Sequence, residues 1–161
     1  MIEIRPTVDA DKPAVWRIIK AVLADGDTYT FAPDTAEGEM MAFWFSAEKY
    51  NYVAVTDGDV VGTFWLKANQ PSLGSHVANA AYMVSPDAKG KGVGKQMAEF
   101  SIEEARRMGF TAMQFNFVVK SNTVAIKLWQ KVGFEIIGEI PDAFNHSTDG
   151  LTNAYIMYRK L

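Results

Sequence analysis

The chain has 161 residues, 48% of them hydrophobic and 22% charged, with a formal net charge of −3 and no cysteine. That length suits one domain with a full-sized core, and the small negative charge gives no bulk attraction to nucleic acid or to an anionic membrane. The missing cysteines exclude disulfides, thiolate metal sites and a cysteine nucleophile. The opening Met-Ile-Glu-Ile-Arg has no apolar signal core, and no segment is long and apolar enough to span a bilayer. The expectation is a single domain over 1–161, cytoplasmic, with no metal.

Ile2 to Thr7 alternates apolar and polar and predicts a first strand. Asp9 or Asp11 caps a helix running to about Ala24, with Pro13 in its first turn and Val15, Ile18, Ile19, Val22 and Leu23 on its apolar face. Asp25 to Thr35 is loop, rich in turn residues. A second helix is expected over roughly Ala36 to Ala47. Tyr52–Val55 and Val60–Ala68 form a hairpin about Asp57-Gly58-Asp59. After a loop from Gln70 to Ser75, His76 to Val84 makes another strand. Val93 to Met108 is a long helix stopped by Gly109, and Thr111 to Val119 a strand. A helix beginning at Ser121 or Asn122 ends at Gly133, and a strand covers Phe134 to Ile140. Pro141 to Gly150 is a loop, and Leu151 to Arg159 the closing strand. Strands and helices in this order predict a mixed α/β sheet with helices on both faces.

The segment from Met83 to Lys95 carries the most chemistry. A strand ends at Pro86, which lacks a donor. Gly90, Gly92 and Gly94 leave backbone N–H groups uncovered at a helix N-terminus, where the dipole favours anions, and Lys89, Lys91 and Lys95 add positive charge. These residue types together make a cradle for a phosphate or pyrophosphate. The P-loop pattern is absent, because Gln96 follows Gly94-Lys95 and Lys89 stands where the first glycine belongs. The dinucleotide fingerprint also fails, since Gly90-x-Gly92-x-Gly94 has the wrong spacing and lies mid-chain.

Lys89-x-x-Gly92-x-Gly94 resembles the pyrophosphate turn of the GCN5-related N-acetyltransferases, with Lys in place of the usual Gln or Arg. Downstream, Asn122-x-x-Ala125-x-x-Leu128-Trp129-x-Lys131-x-Gly133-Phe134 resembles that family's second motif. The resemblance implies the whole fold: a mixed, mostly antiparallel sheet whose two middle strands splay apart at the acetyl-CoA site. It implies direct acetyl transfer from acetyl-CoA to a primary amine of a small molecule. Gly90, Lys91, Gly92, Val93, Gly94 and Lys95 would hold pyrophosphate, with Lys89 beside them. Met83 and Val84 would pair with pantetheine like an added strand, and Asn122 would lie along the CoA arm. The family's dimers imply a possible homodimer.

The catalytic groups are less evident. The strand from His76 to Tyr82 has no carboxylate, so a water held by Asn79, Tyr82 or Asn116 is one route for the amine proton, and His146 another. The family's usual Tyr is Trp129 here, and an indole N–H cannot supply a proton to a thiolate. Tyr155 and Tyr82 are replacement acids to test, or CoA leaves as thiolate unaided. The acceptor pocket is expected between the Asp25–Thr35 loop, the second helix and the Pro141–Gly150 loop. Asp27-Thr28-Tyr29-Thr30-Phe31 resembles the acceptor loop of the phosphinothricin and methionine sulfoximine acetyltransferase branch. No arginine is evident to clamp an acceptor carboxylate. A protein or peptide acceptor and a non-catalytic acyl-CoA-binding module stay open as alternatives.

Overall fold

A computed structural model describes residues 1–161. Seven strands and four α-helices follow one another as β1 (Glu3–Pro6), α1 (Lys12–Ala24), α2 (Glu37–Trp44), β2 (Tyr50–Thr56), β3 (Asp59–Ala68), β4 (Val77–Val84), α3 (Val93–Arg107), β5 (Ala112–Val119), α4 (Thr123–Lys131), β6 (Glu135–His146) and β7 (Gly150–Lys160). All strands join one sheet in the order β1-β2-β3-β4-β5-β7-β6. Every neighbouring pair is antiparallel except β4 and β5.

Alternation along the strands gives the sheet two apolar faces. On one, α1 and α2 bury Val15, Ile19, Met40 and Trp44 against Val53, Trp65 and Met83. On the other, α3 and α4 bury Met97, Ile102 and Trp129 against Phe64, Leu66 and Phe115. Tyr52 stacks on Phe64, and Phe115 on Phe134, with ring centroids 4.8 and 4.4 Å apart. Gly62 permits the close approach of α3, because a Cβ there would lie 2.9 Å from the Met97 sulfur. No helix is long and apolar enough to cross a membrane.

Two expectations need correction. The second helix ends at Trp44, and the Asn51 side-chain amide donates to the Trp44 carbonyl at 2.8 Å, satisfying an end group of that helix. The stretch expected as loop from Pro141 to Gly150 is mostly strand. β6 continues to His146 across an irregularity between Ile140 and Phe144, leaving only Ser147–Asp149 as the turn. Pro141 and Asp142 read as breakers, yet β6 is an edge strand, where a missing donor costs little. The Asn153 side chain accepts the Asp142 N–H at 2.9 Å and fixes the irregular residue, whose φ is +48°.

Candidate active site

The splay lies between β4 and β5. They pair only at Val77–Ala112 and Ala78–Met113, then diverge. Beyond that point β4 keeps its bonds to β3 on one edge and opens the other. Val77 accepts from the Asn69 N–H, and the Ser85 N–H donates to Val61, so odd-numbered residues of β4 turn their backbone groups to β3. The backbone groups of Tyr82 and Val84 therefore face the gap, and those of Met83 face β3. Met83, expected beside pantetheine, pairs its backbone with β3 and buries its side chain under α1 and α2.

The end of β4 leads into the cradle. Pro86–Ala88 make a short 3₁₀ turn, Gly90 and Gly92 take φ of +77° and +81°, and α3 starts at Val93. The Lys91 N–H donates to Ala88, and the first bond of the helix runs from Gln96 to Gly92. The N–H groups of Gly90, Gly92, Val93, Gly94 and Lys95 have no protein acceptor. A Cβ at Gly90 or Gly92 would meet nothing within 4 Å, so the space over these donors is open. Val93 buries its side chain beneath them and anchors the turn. Lys89 and Lys91 are exposed without an ion pair, while Lys95 lies 3.7 Å from Glu99. Gly94 packs where α3, α4 and β4 meet, beside Leu128 and Val84. Donors, dipole and charge all suit a bound pyrophosphate.

Asn122 is the N-cap of α4, its side-chain oxygen accepting from the Ala125 N–H at 3.3 Å. It also lines a cavity of about 280 Å³ that runs through the splay. At the α4 end the walls are Val119, Asn122, Ala125 and Trp129; at the α2 end they are Thr28, Tyr29, Thr30, Phe43 and Trp65. Asn79 and Asn116 stand on the two diverging strands and also line it. No carboxylate, histidine or lysine does.

Tyr29 and Tyr82 are the ionisable groups in the lining. Burial pushes both phenols well above their usual range. The Tyr82 hydroxyl is turned away into the core, 2.7 Å from the Ser101 hydroxyl on α3, and its ring packs on Trp129. The hydroxyl expected as a source of acid thus has its partner on α3. Trp129 packs between Tyr82, Phe115 and Phe134 and is 8% exposed.

Asn116 sits at the irregularity of β5, donating to the Asn69 side chain at 2.7 Å and accepting from Gln114 at 3.0 Å. The structure does not bring His146 or Tyr155 into the cavity lining. His146 Nδ1 accepts the backbone N–H groups of Thr148 and Asp149, each at 3.1 Å, and so caps the β6–β7 turn. Tyr155 packs at the α3–α4 core, with the Lys120 ammonium 5.6 Å from its ring centroid.

The hairpin tip still shapes the site. Ser147 donates its N–H to Gly26 and its hydroxyl to Asp25, tying the tip to the loop before α2. That loop is tied to β4 by the Tyr29 hydroxyl, which donates to the Tyr82 carbonyl. Sequence reading missed this bond, since Tyr29 and Tyr82 are 53 residues apart and no local pattern links them.

Comparison with known proteins agrees with this geometry. Residues 19–134 match the model of the Acetyltransferase (GNAT) family. A solved GCN5-related N-acetyltransferase from Kribbella flavida superposes with a TM-score of 0.94 at 39% identity, covering 99% of this chain and 98% of that one. A Salmonella typhimurium structure described as a putative acetyltransferase with its cofactor acetyl-CoA gives 0.86 at 22% identity, covering 100% and 94%; at that identity the likeness is one of fold. An N-acetyltransferase of Schizosaccharomyces pombe is 36% identical over 98 residues, 60% of this chain and 47% of its own length. A mycothiol acetyltransferase of Renibacterium salmoninarum is 26% identical over 144 residues, 83% of this chain and 40% of its own. The chain thus spans less than half the length of these curated relatives. With the family's model matched across most of the chain and its splayed sheet and glycine cradle in place, the chain belongs to the acetyltransferase (GNAT) family.

Proposed function

We propose that this chain is an acetyl-CoA-dependent N-acetyltransferase that moves an acetyl group directly to the primary amine of a small molecule. The observation that carries the reading is the cavity through the splay, which joins the Asn122 end of the sheet to an aromatic chamber on the opposite face. One ligand can enter from each side and the two meet inside. The N–H groups of Gly90, Gly92, Val93, Gly94 and Lys95 would take pyrophosphate, with Lys89 and Lys91 screening it. The Tyr82 N–H and the backbone groups of Val84 would offer pantetheine the open edge of β4, and Asn122 would contact the CoA arm.

Bound acetyl-CoA supplies an activated thioester; the protein supplies position. Holding two reactants in line is worth effective molarities of about 10⁵ M or more. The cavity offers no side chain that titrates near neutrality, so the amine's proton goes to water. Asn79 and Asn116 are placed to hold that water or the amine itself. With Tyr82 turned away and Trp129 unable to give a proton, CoA leaves as a thiolate, which a thiol pKa of about 8.5 makes feasible.

The chamber walls favour a small acceptor over a protein. Thr28, Tyr29, Thr30 and Phe43 line the far end of a cavity of about 280 Å³, a volume that suits a small acceptor, and Ser147 pins their loop to the hairpin tip. A module that only binds acyl-CoA has no use for the extension of the cavity to Phe43 and Trp65. The test is thiol release from acetyl-CoA with a panel of small amines, and mass spectrometry of the acetylated product. Binding of acetyl-CoA without turnover on any amine would overturn the catalytic reading.

A further inference from the structure

A chain of side-chain amides crosses the splay. Asn116 lies on β5 beyond Met113, the last residue there to pair with β4. Its Nδ2 donates to the Asn69 side-chain oxygen at 2.7 Å, and its Oδ1 accepts from the Gln114 amide at 3.0 Å. Asn69 follows β3 and is itself held by its backbone N–H, which donates to the Val77 carbonyl at 2.8 Å. The bond between Asn116 and Asn69 therefore joins the β3–β4 half of the sheet to β5 past the point where β4 and β5 part.

Asn116 lines the cavity, whereas Asn69 and Gln114 do not. The other lining asparagines are oriented from within their own segments: Asn79 Oδ1 accepts the Ala80 N–H at 2.8 Å, and Asn122 Oδ1 the Ala125 N–H at 3.3 Å. Asn116 takes both of its partners from other side chains, one of them 47 residues away. It sits at the irregularity of β5, where regular pairing to β7 lapses. Turning its amide over would set its NH₂ against that of Gln114 and its oxygen against that of Asn69. The two neighbours thus select one orientation. Each uses one valence of the Asn116 amide, which leaves one hydrogen and one lone pair for a ligand.

We propose that Asn69 and Gln114 are positioning residues for acetyl transfer: they hold the Asn116 amide so that its remaining hydrogen and lone pair meet the acceptor amine, or the water that takes its proton. This rests on the acetyltransferase reading and extends that site to two residues outside the cavity. Their contribution is geometric, since a small misplacement of a group that aligns reactants costs rate even when binding survives.

Thiol release from acetyl-CoA tests it, with ethanolamine, phenethylamine and glycinamide as acceptors. Asn69→Ala and Gln114→Ala should each lower kcat about tenfold, with the KM for acetyl-CoA and the melting transition unchanged. Asn69→Asp keeps an acceptor for the Asn116 Nδ2 and should recover most of the rate; Asn69→Leu, of similar size without an acceptor, should not. In an Asn116→Ala background Asn69→Ala should cost nothing further, because Asn69 acts through Asn116. A parental kcat in Asn69→Ala, equal rates in the Asp and Leu variants, or a loss that adds undiminished to that of Asn116→Ala overturns the assignment and leaves the acetyltransferase reading standing. No turnover of any amine by the parent overturns both.

Discussion

The hydroxyl of Tyr29 donates to the carbonyl of Tyr82 at 2.6 Å. Tyr29 belongs to the loop at the α2 end of the cavity, and Tyr82 to the strand whose open edge faces β5 across the splay. This hydrogen bond ties the loop to the strand across 53 residues of chain. Tyr29→Phe should keep the fold while costing about 1 kcal/mol, the net worth of a typical hydrogen bond. The acceptor KM should rise more than the acetyl-CoA KM. Denaturant titration with steady-state kinetics checks both, and a KM change confined to acetyl-CoA would contradict the assignment.

Gly92 has a φ of +81° and open space above its Cα. Gly92→Asp places a carboxylate among the five free N–H groups, and Asp tolerates the left-handed region better than most residues. Acetyl-CoA affinity should fall about 100-fold or more, about 2.7 kcal/mol, while the melting temperature changes by only a few degrees. Calorimetric titration of the variant decides it.

Tyr82 tests the separation of ring from hydroxyl. Its ring packs on Trp129 and Phe64, but its hydroxyl meets Ser101 beneath α3. Tyr82→Phe keeps the wall and removes one buried hydrogen bond. The expected loss is about 1 kcal/mol of stability, with kcat within twofold of the parent. A fall in kcat of a hundredfold would restore the phenol as an acid.

The pH profile follows from the empty inventory of bases. With an acceptor whose only ionisable group is its amine, kcat/KM should rise tenfold per pH unit and level off at that amine's own pKa. Changing to a less basic amine should move the inflection by the same interval. An inflection near neutrality that stays put when the acceptor changes would reveal a base on the enzyme.

Lys49 should cost stability. Its ammonium titrates at about 8 in the folded chain against an ordinary 10.5. Below pH 8 both states are protonated and the folded state bears the full penalty. From pH 8 to about 10.5 the unfolded chain binds more protons, so stability rises with pH. Lys49→Met should melt higher than the parent at pH 7, with the gap closing as the pH rises through this window. Thermal melts at several pH values measure it.

Much of this was legible because the signals are local. The three glycines, their lysines and the helix after them specify the cradle within thirteen residues. The alternation of Tyr52–Val55 and the Asp57-Gly58 turn specify the first hairpin, whose turn residues take φ of +51° and +84°. The Asn122 cap and Gly133 stop bound α4 as read. What escaped depends on contacts between distant segments. Pro141 and Asp142 look like a loop until β6 proves to be an edge. Met83 and Val84 look alike until the register to β3 shows which of them faces the gap. His146 looks like a free base until the turn takes its Nδ1.

The cradle and the splayed strands should together receive acetyl-CoA. The most direct measurement is the melting temperature of the purified protein with acetyl-CoA, CoA, ATP and NAD in parallel, since a ligand that binds only the native state stabilises it by mass action. Acetyl-CoA and CoA should raise it, and ATP and NAD should not by a comparable amount. An unmoved transition with both CoA species, or an equal rise with all four nucleotides, would contradict it.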